Sequence, residues 1–377
     1  MKISRLSLHL NFILLGCANV GEKRERKTWT PTDDILLISS WLNTSNYPIV
    51  SNEQKSSNFW KRSRFQFFQP KKNALGRASL SPLQKCTAAI HLLAYGNVAD
   101  AVDEYLRLGS TTTRSCLEHF VDGIISLFGE EYLRRPTPAD LQCLLDIGEY
   151  RGFPGMIGSI DCMHWEWKNY STAWKGQYTR GSGTLNDINV LDRSPVFDDI
   201  INGEAPQVTY YVNGREYHLA YYLTDGIFPK WATFIQSIPL PQGPQAVLFA
   251  QRQEAVRKDV ERAFGVLQAR FAIVKNPALF WDKVKIEKIM RACIILHNMI
   301  VEDERDGYTQ FDVSDFQEAE DNGSSHVDLT YSTNMPSNIA NMMSARTRIS
   351  DRQMHQQLKA DLVEHIWRKF GRAEDNN

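Results

Sequence analysis

The sequence predicts a mixed α/β protein in which helical segments come first and a sheet-bearing domain follows. Three observations predict it. GMIGSI, residues 155–160, is a short apolar run of strand character that ends at Asp161. VTYYVNGREYHLAYYLTDG, residues 208–226, places the two-residue turn signal Asn213-Gly214 between β-branched and aromatic residues, which predicts a hairpin whose second arm ends at Asp225. AQRQEAVRKDVERAFGVLQARF, residues 250–271, sets Val256, Val260, Phe264, Leu267 and Phe271 at helical spacing, and the stretch from Lys288 repeats the pattern with Ile289, Cys293, Leu296 and Ile300.

The chain has 377 residues, 42% hydrophobic and 23% charged, enough for two or three domains with real cores. A formal net charge of -1 leaves any contact with nucleic acid to local basic patches. The six cysteines are scattered without a CxxC pair, and the nine histidines form no H-E-x-x-H pattern, so reduced thiols are expected and a zinc cage is not. No run approaches the length of about 20 apolar residues that a membrane span needs. Residues 1–27 form a segment of their own. Lys2 and Arg5 precede LSLHLNFILLGCA, which is loosely signal-like but interrupted by His9 and Asn11, with an odd exon or a misplaced start as the plainer account. EKRERK, residues 22–27, is a basic cluster compatible with the nucleus, or an ordinary solvated face.

Residues 28–73 place Trp29, Trp41 and Trp60 on predicted helices and resemble a truncated SANT/Myb-like segment whose later part is missing. Residues 80–150 are strongly helical. SPLQKCTAAIHLLAYG has Pro82 in its first turn and Gly96 as a stop, VADAVDEYLRLG ends at Gly109, and a third helix starts behind Ser110 or Thr111. Two short helices joined at a glycine, the second opening with hydroxyls and Arg114, read either as a helix-turn-helix or as a plain helical bundle. Thr137 marks a further helix start. Residues 306–347 read as a polar linker, and a last helix, within 348–372, is predicted to open on a Ser350-x-x-Gln353 capping box. Its apolar side carries Met354, Leu358, Leu362, Ile366 and Phe370, a face free to dock on the core, to self-associate or to bind another protein.

Four acids stand in chemically suggestive places: Asp161 at a strand end, Asp187 in GTLNDINVL, Asp225 in YYLTDGIFP and Glu261 on the amphipathic helix. Carboxylates on strand ends and on a helix can converge from distant sequence, and hard divalent ions take oxygen ligands of this kind. Taken singly, each reads as a surface acid or a cap.

GMIGSIDCMHW, WKGQYTRG, TLNDINVLDRSPVF, YYLTDGIFPKWATF, QRQEAVRKDVERAFGVLQARF and ACIILHNMIVEDE, in that order, closely resemble the plant PIF/Harbinger transposase-derived nucleases of the DDE superfamily. The resemblance runs from about Leu80 to Arg305 and returns in the last helix. It implies that residues 151–305 are an RNase H-like DDE nuclease domain that binds Mg²⁺ or Mn²⁺ and cleaves DNA phosphodiester bonds. Asp161, Asp187, Asp225 and Glu261 would be the metal ligands, and Asp161, Asp225 (or Asp187) and Glu261 the catalytic set. DNA, a Myb/SANT-like DNA-binding partner protein and a nuclear location follow as expectations. Lys168, Lys175 and Arg180 would then be placed to meet phosphate, while Arg252, Arg257, Lys258, Arg262 and Arg270 around Glu261 read more simply as pairing on a helix surface.

One interval departs from the family. Asp161 and Asp187 stand 26 positions apart, and KNYSTAWKGQYTRGSG between them is polar and glycine-containing. Two further strands of ~5 to 6 residues with their turns would fill most of that interval. The resemblance implies a hydrophobic segment after the YTRG wording, and this chain jumps past it at Gly181-Ser182-Gly183. Central strands are therefore expected to be lacking, and misplacement by even ~1 Å costs about 100-fold in rate. The expectation is weak cleavage or none, with a non-catalytic DNA- or protein-binding remnant as the alternative.

Overall fold

The computed structural model describes residues 2–3, 66–68, 72, 76, 79–96, 108–134, 136–161, 165–166, 208–226, 228–276, 282–308, 325–327 and 347–371. In chain order these form β1 (Lys2–Ile3), a 3-10 turn (Gln66–Phe68), α1 (Pro82–Tyr95), α2 (Ser110–Tyr132) and α3 (Pro138–Tyr150). Then come β2 (Met156–Ser159), β3 (Trp165–Glu166), β4 (Val208–Val212), β5 (Arg215–Tyr217), β6 (Tyr221–Thr224) and β7 (Phe234–Gln236). The chain finishes with α4 (Pro244–Arg270), α5 (Ala272–Lys275), α6 (Lys283–Tyr308), β8 (His326–Val327) and α7 (Arg352–Phe370). This is a mixed α/β protein, mostly helical, with small sheets. Nearly all of the SANT/Myb-like segment, residues 97–107 of the helix-turn-helix candidate and most of the 306–347 linker lie outside the described residues.

Local chemistry sets the early helices. Ser81 caps α1 by accepting from the Gln84 amide at 3.2 Å while Gln84 Oε1 accepts from the Ser81 amide at 2.9 Å, and Gly96 ends the helix at φ 72°. Thr137 and Asp140 repeat the reciprocal cap on α3. The Arg134 guanidinium beside Asp140 holds that carboxyl down at about 2. α2 starts at Ser110 itself, behind Gly109 and with no side-chain cap, rather than behind Ser110 or Thr111.

Among the described residues two hydrophobic cores result. The first is helical: Leu92 and Leu93 of α1, Phe120 and Ile124 of α2, Met290 and Cys293 of α6, and the second half of α4 through Phe264 and Leu267. The other joins Leu145 of α3, Tyr210, Tyr221 and Leu223 of the sheets, Leu248 and Phe249 from the first half of α4, and Leu358, Leu362 and Ile366 of α7. α4 therefore runs through both. In the first core His297 is 2% exposed and its Nδ1 stands 3.4 Å from Arg270 Nη1. Burial, then the neighbouring guanidinium, lowers the imidazole to about 4. A histidine depressed in the folded state contributes stability above its usual value of 6.5 and loses it as pH falls. We expect roughly 3 kcal/mol to disappear between pH 6.5 and 4. Denaturant titrations across that window should show the loss, and His297→Gln should flatten it.

The sheets differ from the sequence expectation in one respect. Asn213 (φ 52°) and Gly214 (φ 80°) make the expected two-residue turn, and β4 and β5 pair antiparallel with Val212 opposite Arg215. The second arm, however, ends at Tyr217 rather than at Asp225. After His218–Ala220 the chain enters a second sheet as β6, which runs parallel to β2 on one side and to β7 on the other. The order β2-β6-β7 leaves β2 at the edge among the described residues.

The last helix also begins differently. Asp351, not Ser350, is its cap, accepting from the amides of Gln353 at 2.8 Å and Met354 at 3.1 Å. Of the three uses left open for its apolar side, the structure shows docking on the chain's own core. Leu358, Leu362 and Ile366 are at most 1% exposed. Asp361 fixes the helix to the hairpin, its main-chain oxygen accepting from Asn213 and its Oδ2 from Arg215 at 2.8 Å and Tyr217 at 2.5 Å.

Candidate functional site: the strand ends behind Asp161 and Asp225

β2 and β6 place two of the four acids side by side. Ser159 is the register partner of Leu223, and the Ile160 amide donates to the Leu223 carbonyl at 2.9 Å. Asp161 and Asp225 each lie two residues past that pair, at the carboxyl ends of adjacent parallel strands, and both are half-buried. Such edges are where open parallel sheets present side chains to ligands.

Gln253 holds this edge from behind. It is fully buried on α4, and its Nε2 donates to the carbonyl of Thr224 at 3.0 Å and to that of Ile235 at 3.3 Å. One amide thus ties the ends of β6 and β7 to the helix, immediately before Asp225. Gln253→Leu removes the donor and leaves two buried carbonyls to find other partners. We expect a loss of about 2 kcal/mol by chemical denaturation. Sequence reasoning missed this residue, although a glutamine seven positions before Val260 is a polar residue on the apolar stripe of its helix.

Glu261 sits two turns further along α4. Eight residues at helical rise displace it about 12 Å along the axis from the residue that touches the strand end. Its side chain is 52% exposed and lies 3.8 Å from Arg257, whose own side chain is 13% exposed. Among the described residues no three of Asp, Glu, His or Cys stand close enough to hold one metal ion. Asp161 and Asp225 thus end adjacent strands, and they do not form a single three-carboxylate group with Glu261 among the described residues. Asp187, Lys168, Lys175 and Arg180 lie outside the described residues.

Of the basic residues around Glu261, Arg257 and Arg262 make the helix-surface pairs the simpler reading expects, while Arg252 and Arg270 turn to side chains of other helices. Arg257 pairs with Glu261, Arg262 with Asp259 at 2.9 Å, Arg270 faces His297, and Arg252 lies 3.9 Å over the Phe370 ring. Asp259 also meets Arg151 at 2.6 Å, which fastens α4 to the end of α3.

Residues 130–184 and 182–308 match the family model described as plant transposon protein. The match comes in two pieces that meet at residues 182–184, the place where the sequence departs from the Harbinger pattern. A mixed α/β chain with acids on parallel strand ends and this match is similar to transposon-derived proteins. Through residues 130–308 it is similar to the plant transposon protein family and to Harbinger transposase-derived nucleases. "Putative nuclease HARBI1" of Bos taurus is 21% identical over 240 residues, 59% of this chain and 68% of that protein. The Homo sapiens protein of the same name is 20% identical over the same length. A 40-residue stretch is 52% identical to "Glutathione S-transferase T3" of Arabidopsis thaliana and spans 7% of that protein's length. No solved structure matches the chain.

Proposed function

We propose that this chain is a transposase-derived endonuclease of the DDE type, directed at DNA phosphodiester bonds and dependent on Mg²⁺ or Mn²⁺. The parallel pairing that sets Asp161 beside Asp225 carries this reading. β2, β6 and β7 would be the surviving part of an RNase H-like sheet. Two half-buried carboxylates at a strand edge offer the hard oxygen donors such ions take, so the pair suits the metal. Asp161 and Asp225 would hold it, Asp187 and Glu261 would complete the set, and Gln253 would keep the Asp225 strand end in register. A bound divalent ion would supply positive charge for an in-line displacement at phosphorus. DNA as substrate, a Myb/SANT-like DNA-binding partner and a nuclear location belong to the same reading.

A second reading has its own support. The broken family match and the failure of Glu261 to form one group with the aspartates among the described residues favour a non-catalytic remnant that binds DNA or protein. Thermal-shift titration of the full chain with Mn²⁺ separates the two. We expect saturable stabilisation that is lost in both Asp161→Ala and Asp225→Ala and partly kept in Glu261→Ala, with slow plasmid nicking at most. A flat titration of folded protein would sink the nuclease reading and leave the binding module.

A further inference from the structure

Residues 325–327 form a strap held between α3 and the hairpin. Val327 pairs with Val208 and His326 with Thr209, which adds β8 to the edge of β4. The amide of Gln142 acts as a second edge on the other side: Nε2 donates to the Ser325 carbonyl at 2.6 Å, and Oε1 accepts from the Val327 amide at 3.0 Å. Glu149 holds the strap's first residue, its Oε2 accepting from both the amide and the Oγ of Ser325 at 2.9 Å. Ser325 is fully buried, whereas His326 points to solvent.

We propose that Ser325 is a phosphorylation site whose modification ejects this strap. Two features of the slot exclude a phosphoserine. The Oγ sits on a carboxylate, and a phosphate of ≈ −1.5 to −2 charge there would meet like charge with no hydrogen left to donate. Glu149 also lies in the last turn of α3, where the helix dipole presents its negative end. The neighbouring cation, Lys369, is engaged with the Glu149 main-chain oxygen at 2.8 Å.

The sequence supplies the matching recognition chemistry. Asp328 stands three positions after Ser325, and Asp312, Asp315, Glu318, Glu320 and Asp321 precede it. That acidic surround suits the basic substrate groove of an acidophilic serine kinase. Ser324 has Val327 at the corresponding position and lacks the acid. A strand of two residues opens locally far more readily than the cores unfold, so the kinase would act on the open strap. In the step itself Ser325 Oγ bonds to the γ-phosphorus of a nucleoside triphosphate as the bond to the diphosphate breaks. The hydroxyl proton passes to the kinase's base, and the nucleoside diphosphate leaves. The modified strap cannot close again, which uncovers the Val208–Thr209 edge and the Gln142 amide.

The test treats the full chain with an acidophilic serine kinase and ATP, maps the phosphate by mass spectrometry, and follows amide exchange at 142–149, 208–212 and 325–327. We expect phosphate on Ser325 and exchange of the Val327 amide faster by about tenfold or more. Ser325→Ala should take no phosphate there and keep the strap protected. Glu149→Arg should reverse the sign, with the unphosphorylated strap loosened and the phosphorylated one held by the guanidinium. Phosphate only at other serines, unchanged protection after modification of Ser325, or a phosphorylated Glu149→Arg strap as open as the native one would each overturn the proposal.

Discussion

Gly155→Ala is expected to abolish a stable fold, at a cost on the order of 4 kcal/mol or more. Gly155 opens β2 at φ 80°, a conformation that side chains rarely adopt, and an added Cβ would lie 2.4–2.5 Å from the Tyr210 ring. That ring cannot retreat. Tyr210 is fully buried between Tyr217 and Tyr221, and its hydroxyl donates to the Leu219 carbonyl at 2.9 Å. The backbone must shift instead, and the Gly155 carbonyl is what the Tyr221 amide bonds at 3.1 Å, so β2 would part from β6. Chemical denaturation should show the lost stability. If Asp161 and Asp225 hold a metal ion as proposed, any Gly155→Ala protein that remains folded should show no Mn²⁺ stabilisation, because Asp161 rides on the displaced strand. A variant as stable as the native chain would contradict the packing described for this corner.

Leu362→Asp should be nearly as damaging, at about 4–5 kcal/mol, because it puts a carboxylate without a partner into the second core. Leu362→Ala, which leaves only a cavity, should cost about 3 kcal/mol. The side chain is fully buried on the face of α7 that covers α4 and the sheets, one residue after the Asp361 anchor. Circular dichroism melts of the two variants would separate the terms. If Leu362→Asp melted like the native chain, α7 would not be part of the folded core.

Features decided within a few residues could be read from the sequence. The first-turn Pro82, the Gly96 stop, the helix start at Thr137 and the Asn213-Gly214 turn depend on neighbours in the chain, and each forms where expected, whereas the Ser81–Gln84 and Thr137–Asp140 capping boxes went unread. The helix cap at 350–351 was misread because two residues suited to capping stand next to each other, and the choice falls to the one whose carboxylate reaches two amides. The Tyr217–Tyr221 break was hidden because period-two alternation tells which face a residue takes but not which strand it pairs with. Asp161 and Asp225 were legible as acids at the ends of apolar runs. Where Glu261 falls relative to them depends on how α4 is set along the sheet, which Gln253 decides from within a buried interface.

α4 also bears on how such a chain can persist. Its first half is built into one core and its second half into the other, and Asp259 at its middle fastens it to Arg151. The helix works as a splint. A lineage that loses strands beside β2 gives up an edge of one small sheet, while the splint keeps both cores joined and melting together. Loss of strand-edge chemistry and loss of fold are thereby uncoupled, so a chain built this way can go on being made and take on binding roles whether or not it cuts DNA.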